Sequence, residues 1–322
     1  MATLASNFTD FLRNYGPVVR SEFAGAYDQW PSRIGDLFFR TPTNKSIEKV
    51  GGATGLGNMS VFVGTLEYEN AEALWSKTRA MTRFAEAVAI EPDLIEDNDY
   101  PEIMRRVTGL AESARVSQET FAGEVYNEMD QTTFTYDNNS FNSTTPDAKA
   151  ICATDHPYSK SDSTTQSNKG TSTFADTSLS AALVAMKKFL DPKGRKAMIL
   201  PDTLVVGPHL EEAVGKLIPA GQYPGNANND NNPFNPGNPM NLWVRGLRVV
   251  SWPYLNGTSE SNSTWFLMDS KLMRRSLFWF DRVAPTFNDT ADFDTLQAKY
   301  SVMARWGVLA ADWRFVYGNF PT

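Results

Sequence analysis

The sequence predicts an α+β fold, built as one large domain or two intertwined ones. Three observations carry that reading. Residues 100–129, YPEIMRRVTGLAESARVSQETFAGEVYNEM, place Ile103, Val107, Leu110, Ala114, Phe121 and Val125 at steps of three, four and seven, which is one face of a helix. Residues 299–308 alternate, with Tyr300, Val302, Ala304, Trp306 and Val308 on one side and Lys299, Ser301, Met303 and Arg305 on the other. That is the period of a half-buried antiparallel strand. Between them the texture switches repeatedly from short helical runs to short strand-like ones, and at 322 residues the chain is longer than one core usually absorbs.

Taken in order, residues 1–45 scatter single aromatics (Phe8, Phe11, Tyr15, Phe23, Tyr27, Trp30) among Pro17, Pro31 and Pro42. The prolines break the pattern, so the reading is an extended arm with a short helix or two, lying on another surface. In SIEKVGGATGLGNMSVFVGTLEYEN two strand-like runs flank Gly51, Gly52, Gly55 and Gly57, a long hairpin or loop. The helix over 100–129 can be capped by Asn98 or Asp99, with Pro101 and Glu102 suited to its first turn. At 1.5 Å per residue it would be about 45 Å long and would brace a sheet. Residues 130–178 are a polar loop with a short hairpin around Phe134–Tyr136. SLSAALVAMKKFL is a helix, AMIL and TLVV are strands around Pro201, and PHLEEAVGKLI is a short helix. PAGQYPGNANNDNNPFNPGNPMN is an exposed loop. LRVVSW, TWFLMD and SLFWFDRV are strands, and DWRFVYGN continues the terminal strand or pairs with it.

Composition narrows the function. Hydrophobic content of 41% and charged content of 21% belong to a globular protein. Trp243, Trp252, Trp265, Trp279, Trp306 and Trp313 crowd the last third, which marks the densest core or the largest interface. A net charge of −7 disfavours sequence-independent nucleic-acid binding. One cysteine allows no internal disulfide. The opening MATLASNFTDFLRNYGP lacks the basic start and apolar run of a signal peptide, and nowhere do 18 apolar residues follow one another. The Asn-x-Ser/Thr triplets at Asn142, Asn256, Asn262 and Asn288 are therefore read as polar loops.

The candidate chemistry is sparse. In ICATDHPYSKSDSTTQSNKG, Cys152 and His156 stand four apart with Asp155 between them. A cysteine hydrolase would need the ring within reach of the thiol, an orienting third group and an oxyanion hole, and this proline-flanked loop guarantees none. Zinc would need four ligands, yet His156, His209 and Cys152 are the only soft donors, with Asp155 and Asp162 as nearby oxygens. NANNDNN around Asp230 lacks the glycine and glutamate of an EF-hand. The glycines at 51–57 are followed by no Lys-Ser/Thr, so they are not a phosphate loop. The pairs Glu211–Glu212, Asp97–Asp99 and Asp292–Asp294 sit in no glycosidase or protease context. No catalytic, cofactor-binding or metal residue is assigned. A chain rich in arms, long loops and large aromatics but poor in chemistry hides its apolar surface against copies of itself.

The order of motifs then resembles a family. ATDHP (153–157), Asn168, LSAALVAMKKFLDPKGR (179–195), LPDTLVVGPHLEEAVGKL (200–217), VVSWPYL (249–255), WFLMD (265–269) and YSVMARWGVLAADWRFVYG (300–318) are similar to the Mu-like head subunits among tailed-phage major capsid proteins. The resemblance covers about residues 80 to 318 and rests on packing motifs in a specific order. It implies the Hong Kong 97-like capsid fold. On this reading residues 1–45 are the N-terminal arm, and 46–90 the extended loop. Residues 91–178 are the peripheral domain with its spine helix at 100–129. Residues 179–290 are the axial domain, and 291–322 are strands returning to the peripheral domain.

It also implies self-assembly as pentamers and hexamers into an icosahedral shell around phage double-stranded DNA. The shell would be a virion capsid assembled in the host bacterial cytoplasm. The other partners implied are a portal and, where present, a decoration or cement protein, with no membrane and no sequence-specific nucleic-acid contact. No N-terminal scaffolding segment is evident, so a separate scaffolding protein and no N-terminal cleavage are expected. The loop at 219–241 is expected near the ring axes. Some members cross-link a lysine of the extended loop to a neighbour's asparagine. Lys45, Lys49 and Lys77 lie in or near that loop, but the glutamate such a reaction needs is not identified, and no cross-link is assigned. The alternatives are an encapsulin-like nanocompartment shell protein, a cysteine hydrolase using Cys152 and His156, and a trimeric tail or adhesion protein suggested by the Asn/Gly-rich loops.

Overall fold

The computed structural model describes residues 4–59, 61–64, 66, 68–97, 99–217, 246–255, 264–292 and 297–321. Trp243, Asp230, Asn256, Asn262, Asp294 and the loop at 219–241 lie outside the described residues.

The chain opens on one long helix, α1 (Leu4–Gln29), with Pro17 inside it. The prolines had suggested an extended arm. The helix forms because Val19, Phe23 and Ala26 recur on one face and bury against Ile103, Val107, Leu110 and Ala111. Tertiary burial of an apolar stripe outweighs one internal proline, which costs about 3 kcal/mol. A single turn, α2 (Ile34–Leu37), leads into β1 (Phe39–Pro42).

The glycine-rich region is a long hairpin in which β2 (Ile47–Ala53) pairs antiparallel with β3 (Ala73–Ala80). Gly51 and Gly52 lie within β2, and the described residues between Ala53 and Ala73 form no strand. Past Met81 the leg continues as β4 (Thr82–Ile90). A short α3 (Pro92–Glu96) then precedes α4 (Tyr100–Asn127), the helix that the periodicity predicted. Asp99 caps α4 by accepting from the Glu102 amide at 3.4 Å. Ile103, Val107, Leu110, Phe121 and Val125 are all buried.

Next, β5 (Thr133–Tyr136) and β6 (Asn139–Asn142) make a two-residue hairpin. Asp137 and Asn138 hold φ of 48° and 57°, the left-handed pair that a type I′ turn requires. The polar loop is pinned by three two-residue strands, β7 (His156–Pro157), β8 (Thr165–Gln166) and β9 (Lys169–Gly170). Helix α5 (Asp176–Lys187) follows. AMIL is irregular and not a strand, because Met198 turns the backbone to φ 51°. Then come β10 (Thr203–Val206), α6 (Glu211–Leu217), β11 (Arg248–Ser251), β12 (Trp265–Met268), α7 (Ser270–Ser276), β13 (Leu277–Asp292), β14 (Gln297–Ala310) and β15 (Val316–Asn319).

Two sheets result. One has the order β1-β13-β14-β4 and the other β11-β10-β12-β15-β9. Burial along β14 alternates from Gln297 to Arg305, as the sequence pattern demands. DWRFVYGN neither continues β14 nor pairs with it: β15 crosses to the second sheet, between β12 and β9. One buried cluster joins the two halves: Phe121, Val125 and Tyr126 of α4, Trp279 and Trp306 of the first sheet, and Val205, Phe266 and Val316 of the second. Trp252, Trp265, Trp279, Trp306 and Trp313 are all buried, so the tryptophan-rich third is core. Among the described residues no helix is long and apolar enough to cross a membrane.

Candidate functional site

The Cys152 loop folds inward, but not as a catalytic centre. Cys152 is fully buried, and burial pushes its thiol well above the ordinary range. His156 turns to a different partner: its Nδ1 lies 2.7 Å from Oδ2 of Asp147, and its ring stacks on Trp313 at 4.4 Å between centroids. Burial acts to raise the Asp147 carboxyl, but hydrogen bonds from His156 and Thr145 outweigh it and hold the group below the usual carboxylate range. Asp155, the third member of the sequence constellation, faces solvent and pairs with Lys149. The geometry is that of a packed anchor, with the thiol inaccessible and the imidazole already committed.

Asn168 completes the anchor. Its Nδ2 donates to the carbonyl oxygens of Ile151 (2.8 Å), Val316 (3.1 Å) and Trp313 (3.3 Å), and its Oδ1 accepts from the Ala153 amide at 2.9 Å. One side chain thus ties the loop to the chain's last strand. The motif order marked Asn168. Asp147, in the sequence TTPDAKA, carried no such mark, because its partner His156 lies nine residues away.

The other candidates are dispersed. Asp162 accepts from the Thr164 amide at 2.9 Å in a local turn. His209 is exposed in the turn before α6, and Glu211 accepts from Ser251. Asp99 is the α4 cap and Lys45 pairs with Glu48 at 3.5 Å. Among the described residues no group of His, Cys, Asp and Glu could hold a metal ion.

What the body displays instead is the hairpin tip. Met59 is 99% exposed, Val63 91% and Phe62 68%, with Leu56, Val61, Leu66 and Tyr68 also bare. So many large apolar side chains in one segment mark an interaction surface. Its foot is tethered: Glu69 pairs with Lys193 at 2.7 Å, and Arg195 donates to the Gly57 carbonyl at 3.1 Å. Farther down, Lys77 Nζ donates to Oδ1 of Asn142 at 2.8 Å and to Thr144 Oγ1 at 3.0 Å. Burial, aided by the nearby Arg79 charge, lowers its pKa to about 7, with the Asp147 carboxylate acting in the opposite direction.

The sequence profile of the family described as phage capsid protein matches residues 76–319, about three-quarters of the chain. The chain belongs to the phage capsid protein family. No curated protein matches the sequence. Among solved structures, the procapsid subunit of bacteriophage JBD30 is similar at TM-score 0.53 and 13% identity, over 97% of this chain and 76% of that one. The capsid subunit of Ralstonia phage GP4 is similar at TM-score 0.54 and 11% identity, over 89% and 87%. The SrpI encapsulin of Synechococcus elongatus PCC 7942 is similar at TM-score 0.51 and 10% identity, over 90% and 87%. These likenesses give the Hong Kong 97-like capsid fold. With the family they make this a capsid shell protein, in which Cys152, His156 and Asn168 pack inside the subunit and the hairpin tip is left bare.

Proposed function

We propose that this capsid protein is the major head subunit. It assembles as pentamers and hexamers into an icosahedral shell that encloses phage double-stranded DNA. The observation that carries the reading is the hairpin tip: Met59, Phe62 and Val63 are bare on an arm tethered at its foot by Glu69 and Lys193. An apolar arm of this kind is stable only when a neighbouring copy covers it, and large obligate interfaces of roughly 2,000 Å² or more are expected. Weak contacts around closed rings then summate. The net charge of −7 keeps the wall from trapping DNA. A separate scaffolding protein, a portal and, where present, a decoration protein are the proposed partners. Assembly takes place in the host cytoplasm. The subunit does no chemistry of its own.

Electron microscopy of the purified chain, alone and with a candidate scaffold, tests this. Closed polyhedral shells or five- and six-fold rings are expected, and a stable monomer under both conditions overturns the reading. The encapsulin likeness favours a second reading, a nanocompartment around cargo protein. Particles recovered from the native source with protein inside and no DNA would decide for it.

A further inference from the structure

Arg305 on β14 stands directly across from Arg83 on β4 in the antiparallel register. Both belong to the face turned away from α4, since Tyr300, Val302, Ala304 and Trp306 alternate with Arg305 and occupy the buried side. Arg282, beside the bulge in β13, adds a third guanidinium whose charge acts on Arg305. Like charges directly opposed on neighbouring strands are destabilising. Among the described residues no carboxylate pairs with Arg83, Arg282 or Arg305. Arg305 reaches only the Met81 carbonyl at 3.4 Å, and its buried Nε has no partner.

At the far end of β4 the charge inverts. Residues 91–99, EPDLIEDND, hold Glu91, Asp93, Glu96, Asp97 and Asp99. Glu91 is engaged by Arg106 at 2.9 Å and Asp99 by the α4 cap. Asp93 and Asp97 are exposed and carry no ion pair. Arg83 and Glu91 are eight residue steps apart, about 27 Å at roughly 3.4 Å per step, so the two patches cannot meet within one chain. A head-to-tail contact between copies brings them together, and such heterologous contacts are the kind that close into rings.

We propose that the patch of Arg83, Arg282 and Arg305 receives the acidic α3 segment, with Asp93 and Asp97, of a second copy of this chain. The presence of that second copy rests on the shell reading above. Arg83 and Arg305 sit on paired strands and Asp93 on α3, so these groups are held in place before any contact forms. A chain of net charge −7 with three clustered arginines is a poor track for a phosphate backbone. It is a good socket for two carboxylates, and guanidinium–carboxylate pairs are the strong ones.

The test is charge reversal on the full chain, with assembly followed by light scattering and electron microscopy. R83E/R305E and D93K/D97K should each weaken assembly by on the order of tenfold. The quadruple variant, which swaps the two signs, should recover to within about threefold of wild type. A quadruple variant no better than the doubles overturns the proposal. Because the doubles could fail to fold, R83C/D97C provides an independent readout: oxidised under assembly conditions, it should give interchain ladders on a non-reducing gel. Shells that form without ladders overturn the contact and leave the shell reading standing. A wild-type chain that never associates overturns both. Normal assembly of D93K/D97K, with R83E/R305E losing affinity for a fluorescent DNA duplex, would make the patch a nucleic-acid contact instead.

Discussion

Asn168 holds Val316: its carboxamide nitrogen lies 3.1 Å from the Val316 carbonyl oxygen and 2.8 Å from that of Ile151. The polar loop is thereby fastened to the strand that closes the second sheet, and both segments are buried there. Replacing Asn168 with Ala leaves those carbonyls and the Ala153 amide without a partner, at about 1–3 kcal/mol for each group left unsatisfied. The expected result is a melting temperature lower by several degrees, read by scanning calorimetry. Asn168→Asp should fall further, since a carboxylate cannot donate to any of the carbonyls and would be buried unpaired. Equal stability of N168A and wild type would refute this role.

Gly318 makes a second constraint at the same place. A Cβ there would lie 2.8 Å from Cys152 Sγ, 2.8 Å from Phe320 and 3.0 Å from Phe266. All three side chains are buried, so none can move aside freely. Gly318→Ala should cost about 1–3 kcal/mol by overpacking. Denaturant melts of soluble subunit would show it as an earlier midpoint.

The Cys152 thiol should be inert. Burial raises its pKa and closes off access, so a chromogenic disulfide reagent should label no thiol in the folded chain and one per chain in guanidinium. Cys152→Ala should leave assembly intact. Rapid labelling of the native chain would reopen the hydrolase reading.

Lys77 predicts a pH dependence of definite sign. Its pKa falls from 10.5 in the unfolded chain to about 7 in the fold. Between those values the unfolded state binds the extra proton, so this group's contribution to stability rises with pH, is complete above about 10.5, and is lost as pH falls through about 7. Lys77→Met removes this half-buried charge. The variant's melting temperature relative to wild type should therefore be highest near pH 6.5 and decline toward pH 9.5. A difference that stays flat across that range would show that Lys77 titrates normally.

Much of the fold was legible because periodicity reports burial directly. The α4 stripe and the β14 alternation needed only the spacing of apolar residues, and both faces are buried as read except at Ala114, which is half-buried. The β5–β6 hairpin was read only as a short hairpin around Phe134–Tyr136, and its turn at Asp137 and Asn138, in the left-handed backbone, came from the structure. The first 30 residues were not, because Pro17 is a strong local signal and the α4 surface that outweighs it lies some 90 residues away. AMIL failed for a similar reason: its residues suit a strand, and the positive φ of Met198 is set by surroundings that a window of four cannot contain.

By itself, the sequence determined the long helix, the alternating strand, the acidic balance and the scarcity of catalytic groups, while the shell subunit came from the resemblance of its motif order to a family. Each of these is a property of composition or of neighbours a few residues apart. The tertiary structure alone decided that His156 turns to Asp147 and Trp313, away from catalysis, and that the half-buried Lys77 bonds Asn142. It also decided that Arg83 faces Arg305 across a strand pair. Those contacts join residues 9 to 222 positions apart. Their physics is a matter of distance and burial, and neither quantity exists until the chain has closed on itself.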